Sequence, residues 1–96
     1  MFLLLSYDID QSDNGKRLRS IAKICEKYGV RVQSSVFELE ISAAKLMTLR
    51  SELEKVLDPS IDSVRIYKIG KHNKADVEIL GKREKIEITA DSSFLF

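Results

Sequence analysis

Asp8, Asp10 and Asp13 fall within a stretch of six residues, and carboxylate oxygens grouped in this way suit hard cations such as magnesium, manganese or calcium. The spacing does not make an EF-hand: such a loop would place its invariant glycine where Asp13 stands and its bidentate glutamate where Arg19 stands. Asp8 differs from the other two because it ends an apolar run, where a strand would hold its backbone accurately enough for chemistry. One carboxylate binds a cation poorly, but magnesium keeps several waters, so an Asp8 from each of two subunits across a two-fold axis could hold one ion. The alternative for Asp8 is a strand-end aspartate that accepts backbone hydrogen bonds. Asp10 and Asp13 read as solvated loop residues, with Asp13 a candidate helix cap.

Beside this loop lies a local excess of cations. The segment after it carries Lys16, Arg17, Arg19, Lys23 and Lys27 against Glu26 alone, whereas a later helical segment balances Lys45, Arg50 and Lys55 with Glu52, Glu54 and Asp58. The whole chain is nearly neutral, with 16 basic and 15 acidic side chains, so the clustering carries the signal and the net charge does not. Lys16, Arg17 and Arg19 are placed to hold a phosphodiester by charge-assisted hydrogen bonds, or else form a solvated helix face. The single histidine, His72, sits in a polar Gly-Lys-His-Asn-Lys loop, which speaks against general-base catalysis by imidazole. Cys25 stands alone within an apolar helical pattern and reads as core filler in a reducing cytoplasm.

The elements that must position these residues follow from periodicity. Phe2 to Tyr7 is a short apolar run that empties into polar Asp8 to Asn14, as a central strand would. From Gly15 to Tyr28, Leu18, Ile21, Ala22, Cys25 and Tyr28 recur at helical spacing, and Gly29 is a suitable stop. Val30 and Val32 alternate with polar residues, and alternation resumes at Phe37, Leu39 and Ile41 after a phase slip near Gln33-Ser34-Ser35 that marks a turn or bulge. Ser42 can cap a second helix with the stripe Leu46, Leu49, Leu53 and Val56, closed by Asp58-Pro59. A fourth strand is predicted over Ser63 to Ile69.

Strand, helix, strand, strand, helix, strand is the order of an α+β, ferredoxin-like βαββαβ sandwich, an antiparallel sheet with both helices on one face. Two further β-patterned segments, Asp76 to Leu80 and Lys85 to Thr89, precede Phe94-Leu95-Phe96. They could cover an edge of the same subunit or cross to a partner, and crossing within a homodimer is the favoured expectation. The domain is placed at 1–81, with 82–96 as an extension that contacts a partner. A chain of 96 residues has one core, and pairing with a second copy would enlarge it. The opening Met1 to Leu5 reaches Asp8 too soon to span a bilayer, so no membrane association is expected.

Several of these stretches together resemble the small CRISPR-associated Cas-two family. They are Ser6-Tyr7-Asp8-Ile9, Lys16-Arg17-Leu18-Arg19, Tyr28-Gly29-Val30-Arg31-Val32-Gln33-Ser34-Ser35-Val36-Phe37-Glu38 and Ser63-Val64-Arg65-Ile66-Tyr67-Lys68-Ile69, in that order over about the first four-fifths of the chain. The resemblance implies a ferredoxin-like homodimer that faces one Asp8 against its mate and binds magnesium or manganese there. It implies CRISPR spacer acquisition with the Cas-one integrase as partner. Two activities are implied as alternatives: metal-dependent endonuclease action on single-stranded RNA or on DNA, or a non-catalytic adapter that bridges integrase dimers and binds duplex DNA. Tyr7, Asp8, Arg17, Arg19, Arg31 and Phe37 match the family's functional positions. Ribonuclease toxins of similar fold are a third resemblance, ranked below these because of the full Arg31 to Glu38 run.

Overall fold

The structure, a computed structural model, describes residues 1–69 and 75–82. His72, the segment Lys85 to Thr89 and Phe94-Leu95-Phe96 lie outside the described residues. Seven elements follow one another: β1 (Phe2–Asp8), α1 (Lys16–Glu26), β2 (Gly29–Gln33), β3 (Val36–Glu40), α2 (Ala43–Val56), β4 (Ser63–Ile69) and β5 (Ala75–Gly81). The strands form one antiparallel sheet in the order β2-β3-β1-β4-β5, which puts β1 in the centre.

Strand alternation divides the side chains between two layers. Leu3, Leu5 and Tyr7 of β1, Phe37 and Leu39 of β3, Val64 and Ile66 of β4 and Leu80 of β5 point to the helix-covered side and are buried. They meet Ile21 and Cys25 of α1 and Leu46, Leu49 and Leu53 of α2 in a single core. Removing a side chain such as Leu49 or Leu53 from water contributes about 1.5–3 kcal/mol, which is why these helical stripes dock where they do. Burial also pushes the Cys25 thiol up to about 12, consistent with its reading as inert core.

The opposite face of the sheet is covered by no described element. On it lie Phe2 and Leu4 of β1, Val36 of β3, Tyr67 and Ile69 of β4 and Val77 and Ile79 of β5, with the exposed Glu38 and Glu40 of β3 beside Leu4 and Phe2; Phe2 is 40% exposed and Ile69 45%. The unbroken apolar run of β1 has its explanation here, because alternate residues serve two apolar faces instead of one.

The helix boundaries follow the caps read from the sequence, with one addition. Ser42 accepts a hydrogen bond from the Lys45 amide at the start of α2. At α1, Gly15 takes the N-cap position in a left-handed conformation and offers no side chain, so Asp13 accepts from the amides of Lys16 and Arg17 instead. Gly29 begins β2, and its role is close approach: a Cβ there would lie 2.2 Å from the Glu38 carbonyl oxygen, so the residue is required by strand packing and not by a left-handed helix stop. The phase slip falls at residues 34 and 35, between β2 and β3, with a register shift between Arg31 and Gln33.

Two expectations change. The alternation of Val30 and Val32 buries neither, since β2 is an edge strand and they are 68% and 45% exposed. The segment Asp76 to Leu80 takes the same-subunit alternative: it lies in β5, antiparallel to β4 of its own chain from Ile69↔Ala75 to Ser63↔Gly81, and covers that edge.

Candidate functional site

Asp8 is the last residue of the central strand, opposite Ser63 on β4, and its side chain points to the uncovered face. It is exposed, and among the described residues no hydrogen bond or ion pair engages its carboxylate. The strand-end role of accepting backbone hydrogen bonds therefore does not belong to Asp8. It belongs to Asp62, which sequence reasoning did not single out.

Asp62 is the fully buried charged residue in the described structure. One carboxylate oxygen accepts from the Asp10 amide at 2.9 Å, the other from the Asp58 amide at 2.9 Å and from Arg17 Nε at 2.7 Å. Burial by itself would raise this carboxyl, but the Arg17 guanidinium and the two amides outweigh it and hold it below the usual carboxylate range. The Asp62 main chain is tied down as well: its carbonyl accepts from the Lys82 amide at 2.7 Å, and its amide donates to the Asp58 carbonyl at 2.8 Å. The sequence signal, an aspartate immediately before a strand and three residues after Pro59, resembles an ordinary polar loop.

Arg17 parts from its sequence neighbours. Its Nη1 lies 3.0 Å from Asp13 Oδ2, and its Nη2 reaches the Asp10 carbonyl at 3.3 Å and Asp62 Oδ1 at 3.4 Å, so all three guanidinium nitrogens have partners. Lys16 and Arg19 are exposed at the start of α1; Arg19 Nη1 makes a bond to the Asn14 carbonyl that leaves the rest of its fork open. No acidic residue stands in the first turn of α1, but the Asp13 carboxylate caps its first amides, so the positive charge left open at this end is that of the Lys16 and Arg19 side chains.

Tyr7 and Phe37 lie in the core on the opposite side of the sheet from Asp8. Their rings are 6.1 Å apart and tilted by 33°, and the Tyr7 hydroxyl donates to the Ser34 carbonyl at 3.2 Å, fixing the β2–β3 turn. Burial pushes the Tyr7 hydroxyl up, with Arg31 opposing. Arg31 is exposed, pairs with Phe37 across β2 and β3, and stacks its guanidinium 5.3 Å from that ring's centroid. The fold thus gathers Asp8, Lys16 and Arg19 towards the end of β1, while Arg31 stands on the helix-side edge of the sheet.

A further cation, Arg65, shares the face of Asp8. It sits opposite Ser6 on β4, diagonal to Asp8 and one step beyond Ser63, and forms no ion pair with a described residue. Cross-strand diagonals of this kind lie within reach of long side chains. Its signal was the strand parity of Ser63, Arg65, Tyr67 and Ile69, which the sequence reading did not carry through to a face.

A hard cation suits the chemistry of the Asp8 carboxylate, but one chain does not complete a site: among the described residues no cluster of three or more His, Cys, Asp or Glu side chains could hold a metal. Asp8 fits magnesium only with a second carboxylate brought to the same open face, plus water. No described helix is long and apolar enough to cross a membrane.

An α+β sandwich with a central strand ending in a free carboxylate defines the class. Comparison with known proteins gives the family: the profile described as CRISPR associated protein Cas2 matches residues 1–77. The chain is 42% identical over 90 residues to the CRISPR-associated endonuclease Cas2 of Halalkalibacterium halodurans, covering 92% of this chain and 94% of that protein. It is 42% identical over 86 residues to the CRISPR-associated endoribonuclease Cas2 of Chlorobaculum tepidum, covering 88% and 90%. Among solved structures, that of Streptococcus pyogenes Cas2 at pH 6.5 superimposes with a TM-score of 0.68 at 39% identity, over 75% of this chain and 89% of that one. The protein belongs to the Cas2 family.

Proposed function

We propose that this protein is a metal-dependent endonuclease of CRISPR spacer acquisition that hydrolyses phosphodiester bonds in RNA or DNA in the cytoplasm. The observation that carries the reading is the Asp8 carboxylate, mounted on the central strand, exposed and free of internal partners, on an apolar sheet face that a second copy of the chain would cover. A homodimer formed through that face would bring two Asp8 carboxylates towards one axis, a donor set that suits a magnesium or manganese ion keeping several waters. When bound, the ion supplies positive charge against the phosphate and a more acidic water. Asp8 holds it; Arg65 lies on the same face to offset phosphate charge; Lys16, Arg19 and Arg31 hold the flanking backbone by charge-assisted hydrogen bonds. The relatives named endonuclease and endoribonuclease support hydrolysis of nucleic acid.

The test is cleavage of labelled single-stranded RNA and duplex DNA by wild type and Asp8→Asn, with magnesium, manganese or excess chelator. Metal-dependent cutting lost in the variant is expected. Equal cutting by both would overturn the assignment. The second reading, a dimeric adapter bridging Cas-one integrase dimers on duplex DNA, is favoured by one observation: among the described residues no group of three or more His, Cys, Asp or Glu side chains could hold a metal, and one ion held by the Asp8 of each subunit gives little help to a leaving oxygen. Absence of cutting by wild type together with duplex binding would select it.

A further inference from the structure

By sequence spacing Arg17 groups with Lys16 and Arg19 as a phosphate contact; in the fold its guanidinium turns the other way, into the chain. We infer that Arg17 is a positioning residue and not a phosphate contact: with the buried Asp62 it forms a clamp that holds the start of the β1–α1 loop and so sets how Asp8 is presented at the end of β1. The inference rests on the reading of Asp8 as the centre of nucleic-acid chemistry.

Three connections converge on Asp62. Its carboxylate holds the Asp10 amide, two residues beyond Asp8, and the Asp58 amide in the loop after α2. Arg17 neutralises that carboxylate and reaches on to Asp13, which caps α1, and to the Asp10 carbonyl. At the main chain, Gly81 has φ +90° and a Cβ there would lie 2.2 Å from the Asp62 carbonyl oxygen, while the next amide, Lys82, donates to that same oxygen. The end of β5 therefore locks the residue from the other side. Ser63, the neighbour of Asp62, is the cross-strand partner of Asp8, so the clamp sits beside the strand end that it steadies.

For Arg17 to reach a phosphate it would have to abandon a carboxylate that has no access to water, an uncompensated buried charge. Lys16 and Arg19 carry no such commitment. The structure thus assigns the electrostatic contacts to the exposed cations and gives Arg17 an effect that acts through Asp8.

The experiment compares wild type, Arg17→Ala, Arg17→Lys, Asp62→Asn and Arg19→Ala. Three quantities are read: the salt dependence of binding to a short mixed-sequence DNA duplex, the kinetics of single-stranded RNA cleavage, and amide hydrogen exchange. Arg19→Ala is expected to lower the slope of log K against log salt by roughly 0.9, the loss of one phosphate contact, and Arg17→Ala to leave it at the wild-type value. Arg17→Lys, which keeps the charge but not the fork, is expected to lower kcat by roughly 10–100-fold at unchanged KM. Arg17→Lys and Asp62→Asn should both lose exchange protection at the Asp10 and Asp58 amides while core amides such as that of Leu5 stay protected. A slope lowered equally by Arg17→Ala and Arg19→Ala, or a raised KM at unchanged kcat in Arg17→Lys, would overturn the inference. So would retained protection at Asp10 in both clamp variants. If wild type neither binds nor cleaves, the nucleic-acid reading fails, and amide exchange still decides whether the clamp exists.

Discussion

A carboxylate taken out of water is stable only if its lone pairs and charge are met, and Asp62 meets both conditions with two amides and a guanidinium. Removing it leaves Arg17 Nε and two loop amides without their acceptor. Asp62→Ala is expected to destabilise the fold by about 3 kcal/mol, measured as a lower urea midpoint. The pH dependence has a definite sign. The folded carboxyl is held below its ordinary value, so between the two pKa values the unfolded chain binds more protons, and the contribution of Asp62 is complete above the unfolded value near about 4 and lost as pH falls through the folded one. The stability of wild type should therefore fall on acidification below about pH 4, and Asp62→Asn should show a flatter profile. Asp8 makes the opposite case. Its carboxylate supports nothing in the described chain, so Asp8→Asn should abolish metal-dependent cleavage with a thermal midpoint close to that of wild type.

At the scale of elements, the connections matter more than the strands they join. Loss of the Ser42 hydroxyl removes the side-chain acceptor at the start of α2, and Ser42→Ala should cost about 1 kcal/mol. Gly81→Ala meets two penalties together, a left-handed φ and contact with the Asp62 carbonyl, and should cost more than about 1 kcal/mol. Both are read from denaturant unfolding. The sequence displayed these elements clearly where one face alone is buried. The stripe Leu46, Leu49, Leu53, Val56 and the span of β4 are found as predicted. It misled at β2, where alternation imitates a half-buried strand although Val30 and Val32 stand exposed at the sheet edge.

For the whole molecule, the question is what covers the open face of the sheet. Leu4, Tyr67, Ile69, Val77 and Ile79 form an apolar surface that ends at Asp8 and Arg65, and a two-layer fold leaves it bare unless another surface lies against it. If a second copy does so, Ile69→Asp should halve the mass seen by sedimentation to that of the 11.0 kDa chain while far-ultraviolet circular dichroism is retained. Met47→Asp, on the exposed side of α2, should leave the assembly intact. Dissociation by both variants or by neither would count against this face.

The sequence by itself determined the order of elements, the core positions outside β2, the caps at Asp13 and Ser42 and the place of Asp8 at a strand end, because all of these depend on local spacing and on which residues avoid water. It also carried the family, through motifs read in order. Only the tertiary structure decided which charges face each other. Arg17 and Asp62 are 45 residues apart, Asp8 and Arg65 come to share one face through the β1–β4 register, and adjacent Tyr7 and Asp8 serve opposite faces of one strand. Ion pairing and strand register are long-range choices, and no local pattern in a chain specifies them.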